Sequence, residues 1–139
     1  MTTYLDASVL VSLLVDDANT AQARELNSRA RLVGVSHWTL VECSSAFSKL
    51  MRMGRLSAEE VAELEQMLDR WTSRGPRMVP TTIEDFEEAR SFVRRSVSGL
   101  RAADALHLAI AARERLELAT FDLVLARSAA EFGVPVAEF

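Results

Sequence analysis

The chain has one cysteine, Cys43, and two histidines, with no paired spacing of the kind that holds zinc. A lone thiol forms no internal disulfide, which agrees with a reducing compartment, and its expected role is that of a small buried apolar side chain. Long apolar runs are also missing. Val9-Leu10-Val11 and Leu13-Leu14-Val15 are separated by Ser12 and fall far short of the roughly 20 residues that cross a bilayer. No membrane association is expected. Nothing basic precedes that apolar segment and Asp6 interrupts it early, so a secretory signal is not expected and the cytoplasm is the expected location. An excess of positive charge is absent too: 16 Lys and Arg against 20 Asp and Glu leave a formal net charge of −4, which gives no global attraction to nucleic acid. That objection weakens if several acids gather in one cation-binding pocket and leave basic side chains to dominate another face. Repeats, low-complexity segments and long linkers are lacking as well, so the 139 residues are expected to form a single domain, 1–139.

What is present is a regular alternation. Thr2-Thr3-Tyr4-Leu5 is rich in β-formers, and Ala7 to Val15 carries apolar residues at helical spacing. Strands are expected again at Arg31 to Ser36, Arg77 to Pro80 and Leu116 to Thr120, with a last one at Val134 to Phe139. Helices are expected at Ala18 to Ala30, Leu40 to Met53, Ala58 to Ser73, Ile83 to Ser96, Ala102 to Arg115 and Leu123 to Phe132. Strands separated by helices of this length pair in parallel through right-handed crossovers. The fold class is therefore α/β, with helices on both faces of a sheet. Gly54 and Gly75 act as helix stops, Pro76 cannot continue the helix before it, and Ser57-Ala58-Glu59-Glu60 reads as a capping box.

Four acids stand at helix entrances: Asp6 after the first strand, Glu42 three residues beyond Thr39, Asp104 just inside the helix from Ala102, and Asp122 after the Leu116 to Thr120 strand. Each has an ordinary explanation. Asp6 or Ser8 can cap the first helix, Thr39-Leu40-Val41-Glu42 matches a capping box, Asp104 suits the helix dipole and Asp122 can be an N-cap. Capping does not require the four to converge. An open parallel sheet does bring such entrances together, outside the carboxyl ends of its strands. Carboxylates gathered there repel one another unless they bind protons or cations. Oxygen-only ligands select hard ions such as Mg²⁺ or Mn²⁺, which activate water and stabilise in-line displacement at phosphorus, so phosphodiester hydrolysis is the expected reaction.

The residues Tyr4-Leu5-Asp6-Ala7-Ser8, Glu42, Leu100-Arg101-Ala102-Ala103-Asp104-Ala105-Leu106-His107-Leu108-Ala109 and Thr120-Phe121-Asp122, in this order, resemble the PIN-domain ribonucleases, specifically the VapC-type toxins of toxin–antitoxin pairs. The resemblance covers essentially the whole chain in length and element order. It implies a three-layer α/β/α fold with a central, mainly parallel sheet of four to five strands and endoribonuclease activity dependent on Mg²⁺ or Mn²⁺. It also implies an RNA substrate, inhibition by a small cognate antitoxin, and a homodimer. By position Asp6, Glu42, Asp104 and Asp122 match the family's catalytic and metal-holding acids, and Ser8 and Thr120 its auxiliary hydroxyls. Residues 54–99 match no motif.

Beyond the acids, Arg101 near a helix entrance is a candidate phosphate clamp or an ordinary surface arginine. His107, three residues past Asp104, is expected to be structural, with contact to the site as the other option. Lys49, Arg52, Arg55, Arg90, Arg94 and Arg95 can track an RNA backbone, although the interleaved Glu84, Asp85, Glu87 and Glu88 favour a solvated face. Trp38 and Trp71 suit core or dimer packing better than base stacking. The alternatives are a PIN-like nuclease outside a toxin–antitoxin pair, a non-catalytic RNA- or protein-binding module, and a phosphatase with an aspartyl nucleophile. The phosphatase would carry Asp-x-Asp after the first strand, where Ser8 takes the second acidic place.

Overall fold

Both faces of the sheet are covered, so the side chains of its two inner strands, Thr3–Leu5 and Val33–Val35, are buried whichever way they point and three residues suffice for each. The computed structural model describes residues 1–139. The strands are β1 (Thr3–Leu5), β2 (Val33–Val35), β3 (Arg77–Met78) and β4 (Glu117–Ala119), all parallel, in the order β3-β2-β1-β4. Seven helices connect and flank them: α1 (Ala7–Leu14), α2 (Thr20–Arg29), α3 (His37–Arg52), α4 (Ala58–Arg74), α5 (Ile83–Arg95), α6 (Ala102–Glu114) and α7 (Leu123–Glu131). The three-layer α/β/α arrangement is the one expected.

The period of two along each strand divides the core. Tyr4 and its β4 neighbour Leu118 pack with α5, α6 and α7; Leu5 and its neighbour Ala119 pack with α1 to α4. Helix α6 lies deepest, with every residue from Asp104 to Ala111 buried. A helix apolar on all sides and enclosed on all sides is a central support, and it carries Asp104 and His107 into the interior. Cys43 sits in the second core cluster, where burial pushes its thiol pKa up, as befits an inert apolar filler.

Chain reversal follows the expected chemistry. Ser57 and Glu60 form the capping box, each bond 3.0 Å, and Gly54 takes a left-handed conformation (φ 72°) after α3. Most bounds shift by one or two residues, and two elements differ more. The strand expected at 134–139 reduces to a single parallel bridge between Leu118 and Val136, because this terminal segment pairs only with the outer edge of β4. Helix α3 begins at His37, three residues early, because Ser36 is its N-cap and Thr39 closes the capping box. The Thr39-x-x-Glu42 box is thus not formed, and Glu42 belongs to the second turn. No helix is long and apolar enough to cross a membrane.

Candidate active site

In a sheet ordered β3-β2-β1-β4, the chain moves from β1 outward through β2 and β3 and then returns to β4 on the other side of β1, so the strand order reverses between β1 and β4, and their carboxyl ends are where a ligand crevice is expected. Asp6 follows β1 there and Thr120 to Asp122 follow β4. The hydroxyl of Thr120 joins them: it donates to Asp6 Oδ2 at 2.5 Å and accepts from the Asp122 amide at 2.9 Å.

Asp6 is a capping residue as well as a site residue. Its Oδ1 accepts from the Val9 amide at 3.1 Å and from Ser8 Oγ at 2.6 Å, while Oδ2 is left to Thr120. The carboxyl is 3% exposed and has no ion-pair partner. Burial is the largest influence on it and raises its pKa above the ordinary aspartate value, against the lowering effect of His107 and the hydroxyl donors. Ser8 extends the link by accepting from the Phe121 amide at 3.0 Å, so the chain after β4 is tied to Asp6 through two hydroxyls.

Asp122 divides its oxygens in the same way. Its Oδ1 caps α7 through the Leu125 amide at 2.9 Å, and its Oδ2 lies 3.2 Å from Arg101 Nη2. That same nitrogen is 3.2 Å from Asp104 Oδ2, so one guanidinium, 73% exposed along its side chain, spans the two carboxylates. Burial and the charge of Asp122 raise the pKa of Asp104, and Arg101 opposes them. Arg101 is therefore exposed but paired with both acids in this conformation, not a free phosphate clamp.

Glu42 stands apart from the three aspartates. Its partner is His107, whose Nε2 meets Glu42 Oε1 and whose Nδ1 is 2.9 Å from the Tyr4 hydroxyl. Tyr4 is also bonded to Ser36 Oγ at 2.8 Å and Thr39 Oγ1 at 3.3 Å, and burial pushes its pKa up, so the phenol keeps its proton. The sequence pattern passed over Tyr4, which reads as an ordinary β-former; the available signal is that a tyrosine hydroxyl enclosed by core needs partners.

The acids thus fall in two groups: Asp6, Asp104 and Asp122, linked through Thr120 and Arg101, and Glu42, held by His107, which lies one turn along α6 from Asp104. No three acidic, cysteine or imidazole groups converge closely enough, as they stand, to hold a metal ion. The donor set nonetheless fits a hard cation. All donors are carboxyl oxygens, Asp6 is buried with no ion-pair partner, and one positive group, the Arg101 guanidinium, already meets both Asp104 and Asp122.

The remaining candidates lie elsewhere. Asp85, expected on a solvated face, is buried and held by Arg113 through bonds of 2.7 and 3.1 Å, because its other role is to accept from the Thr82 amide and begin α5. The basic residues do not form one track: Lys49 and Arg55 border a depression by α1, Arg90 and Arg94 border a groove by α5, and Arg95 lies over the Phe92 and Phe132 rings. That groove, about 860 Å³, is lined by Trp38, Phe86, Ala89, Val93 and Leu106 and adjoins the start of α6. Trp38 also fixes α3 to α6 through a 3.1 Å bond to the Ala103 carbonyl, and Trp71 packs against the α1–α4 core.

The family model described as the PIN domain matches residues 3–131. No curated protein sequence matches the chain. Among solved structures, Mycobacterium tuberculosis VapC20, a sarcin-ricin loop cleaving toxin, superposes with a TM-score of 0.72 at 19% identity, covering 91% of this chain and 94% of that one. A toxin–antitoxin complex from Klebsiella pneumoniae gives 0.67 at 19% identity, covering 99% and 98%. VapBC2 from Rickettsia felis, bound to a DNA fragment from their promoter, gives 0.65 at 18% identity with the same coverage. At these identities the likeness is one of fold.

Proposed function

The chain belongs to the PIN-domain family, and from that premise we propose that it is a metal-dependent endoribonuclease acting as the toxin of a toxin–antitoxin pair. The observation that carries this reading is the Asp6 carboxylate, buried at the carboxyl end of β1 with neutral donors only, beside two further aspartates that share one cation. Folding alone gains little from burying a carboxyl group without an ion-pair partner. A site that recruits a divalent ion does.

Asp6, Asp104 and Asp122, with Glu42 completing the set, are the residues that would hold Mg²⁺ or Mn²⁺. Such an ion supplies charge neutralisation at a phosphodiester and a water acidic enough to serve as nucleophile near neutral pH. The chain's own residues prepare the place. Ser8 and Thr120 hold the Asp6 carboxylate in one rotamer, Thr120 also sets the turn that presents Asp122, and α6 carries Asp104 to the same edge. Arg101, exposed and tethered only to Asp104 and Asp122, would be able to meet a phosphate if released from those two acids.

The toxin assignment draws on the fold shared with VapC20 and with the two toxin–antitoxin complexes. An antitoxin partner and a homodimer both require surface to bury, and the groove bordered by Trp38, Phe86 and Val93 supplies an apolar face beside the site. The test is direct. Purified protein should cleave RNA when Mg²⁺ or Mn²⁺ is added, stop on addition of EDTA, and lose activity by at least about a hundredfold in Asp6→Asn with its fold retained, the scale of losing a principal catalytic group. Equal cleavage by Asp6→Asn overturns the mechanism.

A further inference from the structure

His107 is 1% exposed, and both of its ring nitrogens are engaged by side chains distant in sequence. The direction of every proton along this line can be assigned. The Glu42 carboxylate only accepts, so the hydrogen between it and His107 belongs to Nε2. In the neutral ring Nδ1 is then an acceptor, and the Tyr4 hydroxyl donates to it. Tyr4 in turn receives Ser36 Oγ–H, since Ser36 Oγ already accepts from the Thr39 amide, while Thr39 Oγ1 donates to the Leu5 carbonyl at 3.2 Å. Each hydroxyl proton is used once; that of Thr39 goes to the Leu5 carbonyl, while those of Ser36 and Tyr4 and the Nε2 hydrogen run one way, from the N-cap of α3 through β1 to α6 and out to Glu42.

Glu42 gains most from this. It lies in the second turn of α3, and its long side chain bonds no backbone group and has His107 as its hydrogen-bond partner. The ring itself is fixed by packing near Tyr4 and Trp38, with ring centroids 5.7 and 6.5 Å away. We propose that His107 is a positioning residue: its Nε2–H holds the Glu42 carboxylate at the acidic crevice, and Tyr4, bonded to Nδ1, fixes which nitrogen carries that hydrogen. Groups that orient a metal-holding side chain in this way are typically worth 10- to 100-fold in metal affinity. The inference rests on the reading of Glu42 as one of the cation-holding acids.

The two nitrogens can be separated by substitution. The amide of His107→Gln reaches the Nε2 position and keeps a donor for Glu42; that of His107→Asn reaches only the Nδ1 position and keeps Tyr4; His107→Leu keeps neither. Mn²⁺ binding to the metal-free protein, measured by titration calorimetry alongside the thermal midpoint, should be within a few-fold of wild type for Gln and about 10- to 100-fold weaker for Asn and Leu. In a Glu42→Gln background, His107→Asn should weaken binding no further. Equal affinities for the Gln and Asn proteins, or an undiminished effect of His107→Asn without Glu42, overturn the inference while leaving the nuclease reading intact. Should His107→Leu fail to fold, the Gln and Asn pair and the Glu42 background still decide. Wild-type protein that takes up no Mn²⁺ overturns the proposed function, and this role with it.

Discussion

Thr120 Oγ1 lies 2.5 Å from Asp6 Oδ2, joining residues 114 positions apart across the β1–β4 crevice. The same oxygen accepts from the Asp122 amide, so one hydroxyl fixes both a carboxylate and the turn that presents a second. Thr120→Val keeps the shape and removes both bonds. It is expected to lower stability by about 1–3 kcal/mol, the range for leaving a buried polar group unpaired, and to weaken Mn²⁺ binding, whereas Thr120→Ser should retain both properties. Chemical denaturation and calorimetry on the two variants check this, and a Thr120→Val protein as stable as wild type contradicts it.

Arg101 pairs with both Asp104 and Asp122, two of the residues that would hold the proposed cation. Its side chain is largely exposed, so Arg101→Ala should change stability by no more than about 1 kcal/mol. Removing the competitor should let the metal-free protein bind Mn²⁺ several-fold more tightly. Binding that weakens instead would show that Arg101 helps to assemble the site rather than guard it.

The buried carboxyls also predict how the metal-free protein responds to pH. Burial raises the Asp6 pKa in the folded chain, and burial with the Asp122 charge raises that of Asp104, so the folded state binds protons more readily than the unfolded one. Their contribution is fully present below the ordinary aspartate pKa of about 4 and is lost as pH rises through the higher folded values. In EDTA, stability attributable to these two groups should therefore fall as pH is raised from the acid range toward neutrality. Asp6→Asn should flatten that slope, and Mg²⁺ should restore stability at neutral pH. Denaturant midpoints measured across pH, with and without Mg²⁺, provide the check.

Asp85 offers a contrast within the same molecule. Arg113 meets both its oxygens, and its Oδ2 also accepts from the Thr82 amide, so the charge is answered locally. Arg113→Ala should destabilise the protein by roughly 2 kcal/mol, because a buried carboxylate loses its counter-charge, yet leave Mn²⁺ affinity unchanged. A change in affinity at fixed stability would mean that α5 communicates with the crevice.

The element order was legible because each helix and strand carries its own period, and the boundaries that moved did so for local reasons. Ser36 outcompeted Thr39 as the cap of α3 because Thr39 is needed inside the helix, bonding the Leu5 carbonyl and Ser36. Asp6, Asp104 and Asp122 could be placed near one another from fold class alone, since strand ends and helix starts share an edge. The attachment of Glu42 to His107 could not, because nothing in a helical repeat specifies which residue of a distant helix an exposed face will meet. Asp85 and Asp104 look alike in sequence, each within the first turn of its helix, but Asp85 caps α5 through the Thr82 amide and is held by Arg113, whereas Asp104 makes no capping bond and meets Arg101.

Asp6 and Asp122 each use one oxygen to start a helix and keep the other for the crevice, whereas Asp104 and Glu42 make no capping bond at all. The four acids would therefore not decay together if catalysis ceased to matter. A descendant with no nuclease left to maintain would still retain an aspartate, or its capping equivalent asparagine, at positions 6 and 122 for the sake of α1 and α7. Positions 42 and 104 would be released first, so these two, rather than the aspartate after β1, distinguish a working relative from one that keeps only the shape.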